Sequence, residues 1–265
     1  GLATWLMSRR AGERVAVPTA ATDVRSGGVS GLPSGNGMPV IAIEPLRVIG
    51  TARPGQFAAG SLIDKMRAPY AAALDEKIAS ADRLLYRRGN FSGTMDQLIC
   101  DALLGELNAE IALSPGFRWG TTALAAQPLT MDDVMAQTAV TYPETYIQTM
   151  TGGQIKDVLE DICDNLFNAD PYYQQGGDMV RVGGLAYTCN PNETVGKRIS
   201  DLKLDNGHAL QAGKHYKVAG WASVNEQTGA PVWDVVVKHL RSGKPPNRAA
   251  PGVTLKGVED NPGIA

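Results

Sequence analysis

The 265-residue chain has only three histidines and three cysteines, and that scarcity removes most self-contained catalytic chemistries at the outset. His208, His215 and His239 have no second His or Cys at metal-ligand spacing, so each reads first as a structural or solvated side chain. Cys100, Cys163 and Cys189 form no Cys-x-x-Cys pair, and their spacing indicates neither a zinc site nor a disulfide framework. Cys100 and Cys163 fall on apolar faces of predicted helices and read as inert thiols. There is no Gly-x-Ser-x-Gly elbow and no Walker loop, and the glycine-rich stretch at 27–37 lacks the strand-to-helix context of a phosphate cradle. No run approaches the roughly 18 apolar residues needed to span a bilayer. A net charge of −2 withholds the broad positive field that nucleic acid or an anionic membrane would require, so neither is an expected partner. An initiator methionine and a recognisable signal peptide are lacking as well, from which we expect that Gly1 is not the native start.

What is present suffices for a substantial core: 43% of residues are hydrophobic and 20% charged. Residues 1–58 are rich in Gly, Ala, Arg, Ser and Pro and read as an irregular or disordered segment. A linker helix is expected over 59–80, a globular domain over 81–245 and a tail over 246–265. In the linker, Leu62, Met66, Tyr70, Leu74 and Ile78 recur every four residues, with Pro69 marking a kink or the helix start. Thr94 followed by Gln97 caps a predicted helix over about 95–107, and 110–113 reads as a buried strand. Thr130 with Asp133 opens a short helix, and 140–150 has the composition of a strand. Behind Thr151, Ile155, Val158, Leu159, Ile162, Cys163 and Leu166 keep the spacing of one buried helical stripe. Strands are predicted at 179–182, 185–189, 199–204 and 216–221, and a last helix from Pro231 to Leu240. Strands and helices mix without strict alternation, which predicts an α+β fold.

The residues able to carry chemistry are cations, amides and aromatics on predicted loops. Ser114-Pro115-Gly116-Phe117-Arg118-Trp119-Gly120 follows a strand, and Arg118 offers a planar fork of donors to a sulfonate, phosphate or carboxylate; the alternative is a surface arginine stacked on Trp119. Arg87, Arg88 and Asn90 form a second group, whose alternative is one arginine in water and one in a salt bridge. Tyr172, Tyr173 and Gln174 sit in a polar aromatic loop suited to an extended peptide, or equally to ordinary packing. Trp221 and Trp233 flank a loop at 224–229 that is a candidate further wall. Nothing in the chain reads as a catalytic residue or a metal ligand.

These segments carry a resemblance. Leu85-Tyr86-Arg87-Arg88-Gly89-Asn90-Phe91-Ser92-Gly93-Thr94-Met95-Asp96, the Ala109–Leu113 strand with its Gly-x-Arg loop, and the helix start Leu129-Thr130-Met131-Asp132-Asp133 resemble the 5′-nucleotidase C-terminal domain. Within that superfamily, the segments 114–122, 172–184 and 216–222 resemble the SoxB family of thiosulfohydrolases, over roughly residues 62–242. The resemblance implies a mixed sheet with packed helices that serves as the substrate-binding half of a two-domain hydrolase. It implies a periplasmic location and an N-terminal metallophosphoesterase domain holding two manganese ions. The implied reaction removes sulfate from a cysteine S-thiosulfonate on the peptide arm of a SoxYZ-type sulfur carrier. Arg118 matches the family arginine that engages the anionic substrate, and Arg87 or Arg88 more weakly matches an upstream one. The signatures of the metal domain are absent, and Gly89-Asn90-Phe91 resembles one of them only superficially, since Phe cannot ligate a metal. The chain alone is therefore expected to be inactive, and a truncated or frame-shifted reading frame would account for residues 1–58. Nucleotidases of the superfamily have Gly-Gly where this chain has Pro115-Gly116, and the aromatic pair that stacks on a nucleobase has no counterpart, which disfavours a nucleoside substrate. Two other readings stay open: the substrate domain of a nucleotide phosphohydrolase, and a non-catalytic module that binds a carrier peptide.

Overall fold

The computed structural model describes residues 59–87, 89–117, 122–139, 142–225, 227–243 and 252–258. Two units are distinguished, Gly1–Met66 and Arg67–Ala265. Of the first, the described part is most of a short helix, α1 (Ala59–Arg67). The second begins with α2 (Ala71–Leu74) and β1 (Lys77–Ser80), so the single helix expected over 59–80 is replaced by two short helices and a strand. Proline 69 accounts for the break, because its ring and missing N–H interrupt a helix. Ile78 packs into the core from an extended strand, so the fourfold spacing that included it was coincidental.

The remaining elements follow the predicted order, with two short strands that were not predicted, at Pro128–Thr130 and at Val253–Leu255, the second within the stretch expected as a tail. The elements are α3 (Thr94–Leu107), β2 (Ile111–Ser114), β3 (Pro128–Thr130), α4 (Met131–Thr138), β4 (Thr145–Thr151) and α5 (Gly152–Phe167). After them come β5 (Arg181–Gly183), β6 (Leu185–Cys189), β7 (Ile199–Leu204), β8 (His215–Trp221), α6 (Val232–Arg241) and β9 (Val253–Leu255). The expected strand over 140–150 starts instead at Thr145, with residues 140 and 141 outside the described set.

Helix entry is set by side chains that satisfy the free N–H groups of the first turn. Thr130 and Asp133 cap α4 reciprocally, as predicted, and Thr151, the expected start of α5, caps it reciprocally with Gln154. At α3 the cap moves back one residue. Gly93 is the cap, and its N–H donates to Asp96 Oδ2 at 3.0 Å. The Thr94 hydroxyl instead accepts from the Tyr86 N–H at 3.1 Å and donates to the Leu84 carbonyl. Only glycine fits at 93, because a Cβ there would lie 2.2 Å from the Tyr86 carbonyl oxygen.

The central sheet has the order β4-β8-β2-β5, with β2 and β8 parallel and the outer pairings antiparallel. Alternation along the strands divides the core in two. Ala112, Ala219 and Trp221 face one cluster with residues of α3, α4 and α6, whereas Ile111, Leu113, Tyr216 and Val218 face another with α5, β6 and β7. The strands β7-β6-β9 form a second sheet, and β1 pairs with β3 in a third. The architecture is a mixed α+β fold with packed helices.

One buried carboxylate organises the connection between β6 and β7. Glu160, inside α5, accepts from the backbone N–H groups of Gly196, Arg198 and Ile199 at 2.9, 3.3 and 2.8 Å. One turn further on, Asp164 pairs with Arg198. That guanidinium holds the Asp164 carboxyl below its ordinary value, burial opposes it, and the Asn168 amide adds to the lowering. Glu160→Ala should destabilise the chain by at least about 2–3 kcal/mol, because it orphans buried donors; urea unfolding measures this. A depressed folded value means that the Asp164–Arg198 contribution is complete above the unfolded value of about 3.9 and is lost as pH falls through the lower folded one. Urea midpoints taken from about pH 6 to about pH 2 should therefore fall less steeply for Asp164→Asn than for the parent.

Candidate functional site

The strand pairings align Thr145, Trp221, Ser114 and Arg181 in one row across the end of the central sheet. The segments that leave this row are the loop after β2, the loop after β8, the approach to β4 and the approach to β5. The loop after β2 and the approach to β5 meet the segment 86–93 there, through Pro115 and Met179, so four of the stretches singled out in the sequence lie at one end of one sheet.

A buried ionic network holds them. Arg87 is 1% exposed and donates through Nε to Asp96 Oδ1 at 2.7 Å, through Nη1 to the Gln137 carbonyl at 2.6 Å and through Nη2 to the Pro115 carbonyl at 2.8 Å. Its guanidinium carbon also lies 5.4 Å from the ring centre of Phe117 and 5.9 Å from that of Trp221. One side chain thus ties together α3, the end of α4 and the loop after β2. Arg181 approaches the other oxygen of Asp96, with Nε at 3.3 Å. Its remaining nitrogens donate to the carbonyls of Gly89, Asn90 and Met179, and one of them lies 3.4 Å from Asp178 Oδ2. Burial pushes the Asp96 carboxyl upward, and the two guanidiniums and the Gly93 N–H pull it back.

Glycine at 116 lets the two central loops touch. A Cβ there would lie 2.4 Å from the Met179 carbonyl oxygen and 2.7 Å from the Asp178 Cβ. The Pro115-Gly116 pair therefore presses the loop after β2 against the loop before β5.

The residues expected at the site occupy different depths. Arg87 has its nitrogens turned inward, the salt-bridged alternative of its pair. Trp221 is buried, its indole N–H donating to the Ser114 hydroxyl at 2.8 Å and its ring meeting Phe117 edge-on, so it underlies the site instead of forming its surface. Asn90 is half-buried and contributes its carbonyl to Arg181. Tyr172 and Tyr173 are 88% and 60% exposed and meet edge-on, displayed by a single 3₁₀ turn, Pro171–Tyr173, that Asp170 caps. Gln174 is exposed, and its amide donates to the Asn168 carbonyl at 2.7 Å. Parallel stacking of Phe91 on Phe167, at 6.2 Å, joins the segment after Asn90 to the end of α5 from which this loop departs. Arg88, Arg118 and Trp119 lie outside the described residues.

Sequence reasoning missed Asp96 and Arg181 as organisers of this end of the molecule. The available signal was Arg181 itself, a charge within a predicted strand, where burial of an arginine demands a carboxylate partner. Among the described residues no group of three or more His, Cys, Asp or Glu side chains could hold a metal ion. These residues do not fit a manganese pair. No helix among the described residues is long and apolar enough to cross a membrane.

A family model described as the 5′-nucleotidase, C-terminal domain, matches residues 77–232. Among solved structures, a Thermus thermophilus sulfate thiohydrolase SoxB is similar with 35% identity and a TM-score of 0.69, over 75% of this chain and 38% of that one. A 5′-nucleotidase precursor, also from Thermus thermophilus, is similar with 16% identity and a TM-score of 0.60, over 75% of this chain and 43% of that one. The Haemophilus influenzae NAD nucleotidase is similar with 15% identity and a TM-score of 0.58, over 74% and 41%. The chain thus spans less than half the length of these solved relatives. No curated protein sequence matches it.

Asp96→Ala should leave two buried guanidiniums without their shared counter-charge and cost about 3–5 kcal/mol, as breaking a buried ion pair does; chemical denaturation measures it, with the exposed Asp157→Ala as a near-neutral reference. Gly116→Ala should separate the two central loops and cost about 1–3 kcal/mol by overpacking, read by the same method.

Proposed function

The chain belongs to the 5′-nucleotidase C-terminal domain family, and from that membership we propose that it is the substrate-binding half of a SoxB-like thiosulfohydrolase. The observation that carries this reading is the contrast in identity: 35% to SoxB over three quarters of the chain, against 16% and 15% to the nucleotidases. The substrate in this proposal is a cysteine S-thiosulfonate on the peptide arm of a SoxYZ-type carrier in the periplasm, and the product is sulfate. The two manganese ions and the hydrolytic chemistry belong to an N-terminal metallophosphoesterase half.

Binding and orientation are then this chain's contribution. Arg118 is assigned to the terminal sulfonate, where its planar fork of donors suits the oxygens of a tetrahedral anion. The exposed pair Tyr172 and Tyr173, with Gln174 beside it, suits a peptide arm, since aromatic rings offer large contact area at small conformational cost. Arg87 and Arg181 position these elements from below. The buried network supports the reading in one further respect: it gives the loop that carries Arg118 a rigid base up to Phe117, and a displaced anion anchor loses much of its effect.

The family membership also keeps a second reading in view, a nucleotide phosphohydrolase, and substrate tests separate the two. The protein joined to its metallophosphoesterase half should release sulfate from a carrier S-thiosulfonate and little phosphate from AMP; the reverse preference overturns the proposal. Arg118→Ala in that protein should lower kcat/KM by roughly a hundredfold, the loss of a charged hydrogen bond worth about 2–3 kcal/mol. Replacing Tyr172 and Tyr173 together by Ala should raise KM for the carrier with little change in kcat. The 265-residue chain alone, supplied with manganese, should show no turnover.

A further inference from the structure

Two of the three cysteines, distant in sequence, meet in the core. Cys163 lies on the buried face of α5 and Cys189 ends β6; both are fully buried in the same apolar cluster, and their Sγ atoms are 3.6 Å apart. Cys100 is buried on the opposite side of the central sheet, in the other cluster, and cannot compete for either partner. We propose that Cys163 and Cys189 form a disulfide that fastens α5 to β6.

Bond formation requires side-chain rotations that bring the two sulfurs from 3.6 Å to about 2.0 Å. The oxidant is a low-molecular-weight disulfide such as oxidised glutathione. A thiolate from one cysteine attacks it, forming a mixed disulfide and releasing one glutathione thiolate. The second cysteine, as its thiolate, then attacks the protein sulfur of that mixed disulfide and releases the other glutathione. The two cysteines lose two protons and two electrons, and the oxidant becomes two thiols. Because both sulfurs are buried in the finished fold, exchange takes place while α5 is still docking, and the completed bond is shielded from reductant.

The position of the link gives it a consequence at the site. The chain between the two cysteines carries the end of α5, the Tyr172-Tyr173 turn, Asp178 and all of β5 with Arg181. A covalent closure across a separation of 26 residues limits the unfolded excursions of that whole segment. It also holds both ends of the displayed aromatic loop to one rigid core. The inference stands on the sulfur geometry and does not depend on the proposed function.

The test refolds the reduced 265-residue chain in a glutathione redox buffer, alkylates it in denaturant and determines its mass and linked peptides. One alkylated thiol, at Cys100, and a peptide joining Cys163 to Cys189 with loss of about 2 Da are expected. The linked chain should melt several degrees above the chain refolded in reductant, and without denaturant the link should resist reducing agent. Cys100→Ser should keep the link. Three alkylated thiols, glutathione retained on Cys163 or Cys189, or a link to Cys100 would each overturn the proposal. Since the readout is the unsubstituted protein, the result does not hinge on whether a Cys163 or Cys189 variant folds.

Discussion

The buried carboxylate of Asp96 is the charge on which the candidate functional end of this molecule depends. Two arginines enter an apolar interior, and neither is tolerable there without an opposite charge and a full set of hydrogen-bond acceptors. Asp96 supplies the charge to both, at 2.7 Å from Arg87 and 3.3 Å from Arg181. Backbone carbonyls at Gly89, Asn90, Pro115, Gln137 and Met179 accept from the terminal nitrogens of the two arginines. Because all of those carbonyls except that of Gln137, at the end of α4, belong to loops that lack regular pairing, satisfying the two cations is the same event as fixing the loops. Such a network contributes little net stability compared with an apolar core of equal volume, but it specifies one arrangement of its parts.

That arrangement separates support from display. Arg87, Arg181 and Trp221 lie inside, and the tyrosines at 172 and 173 stand outside on a turn anchored by the end of α5. A surface built this way presents large aromatic area while the elements beneath it are joined by buried ion pairs. The same helix is anchored at its other side by Glu160, which gathers the backbone between β6 and β7. Helix α5 is therefore the element through which the second sheet and the displayed turn are kept in register with the central sheet.

Much of the fold was legible in the sequence because its signals are local. The stripe at Ile155, Leu159 and Cys163 needs only the helical period, and the Thr130–Asp133 and Thr151–Gln154 caps need only residues within one turn of each other. Where a local signal misled, a tertiary contact had overridden it. Thr94 has the chemistry of a cap but is drawn to Leu84 and Tyr86, and Ile78 continues a helical spacing from within a strand. The short strands β3 and β9 carry too few residues to show any period at all.

The sequence by itself determined the α+β class, the order of the longer elements of the domain, the family and the set of cations, amides and aromatics available for binding. Each of these rests on residue identity and short-range spacing. Only the tertiary structure decided which of those residues face inward, that Arg87 and Arg181 share Asp96, and that Cys163 meets Cys189. Those outcomes depend on contacts between distant segments, such as Arg181 with Gly89 across 92 residues. The energy of burying a charge or a thiol is settled by what surrounds it in space, which no spacing along the chain encodes.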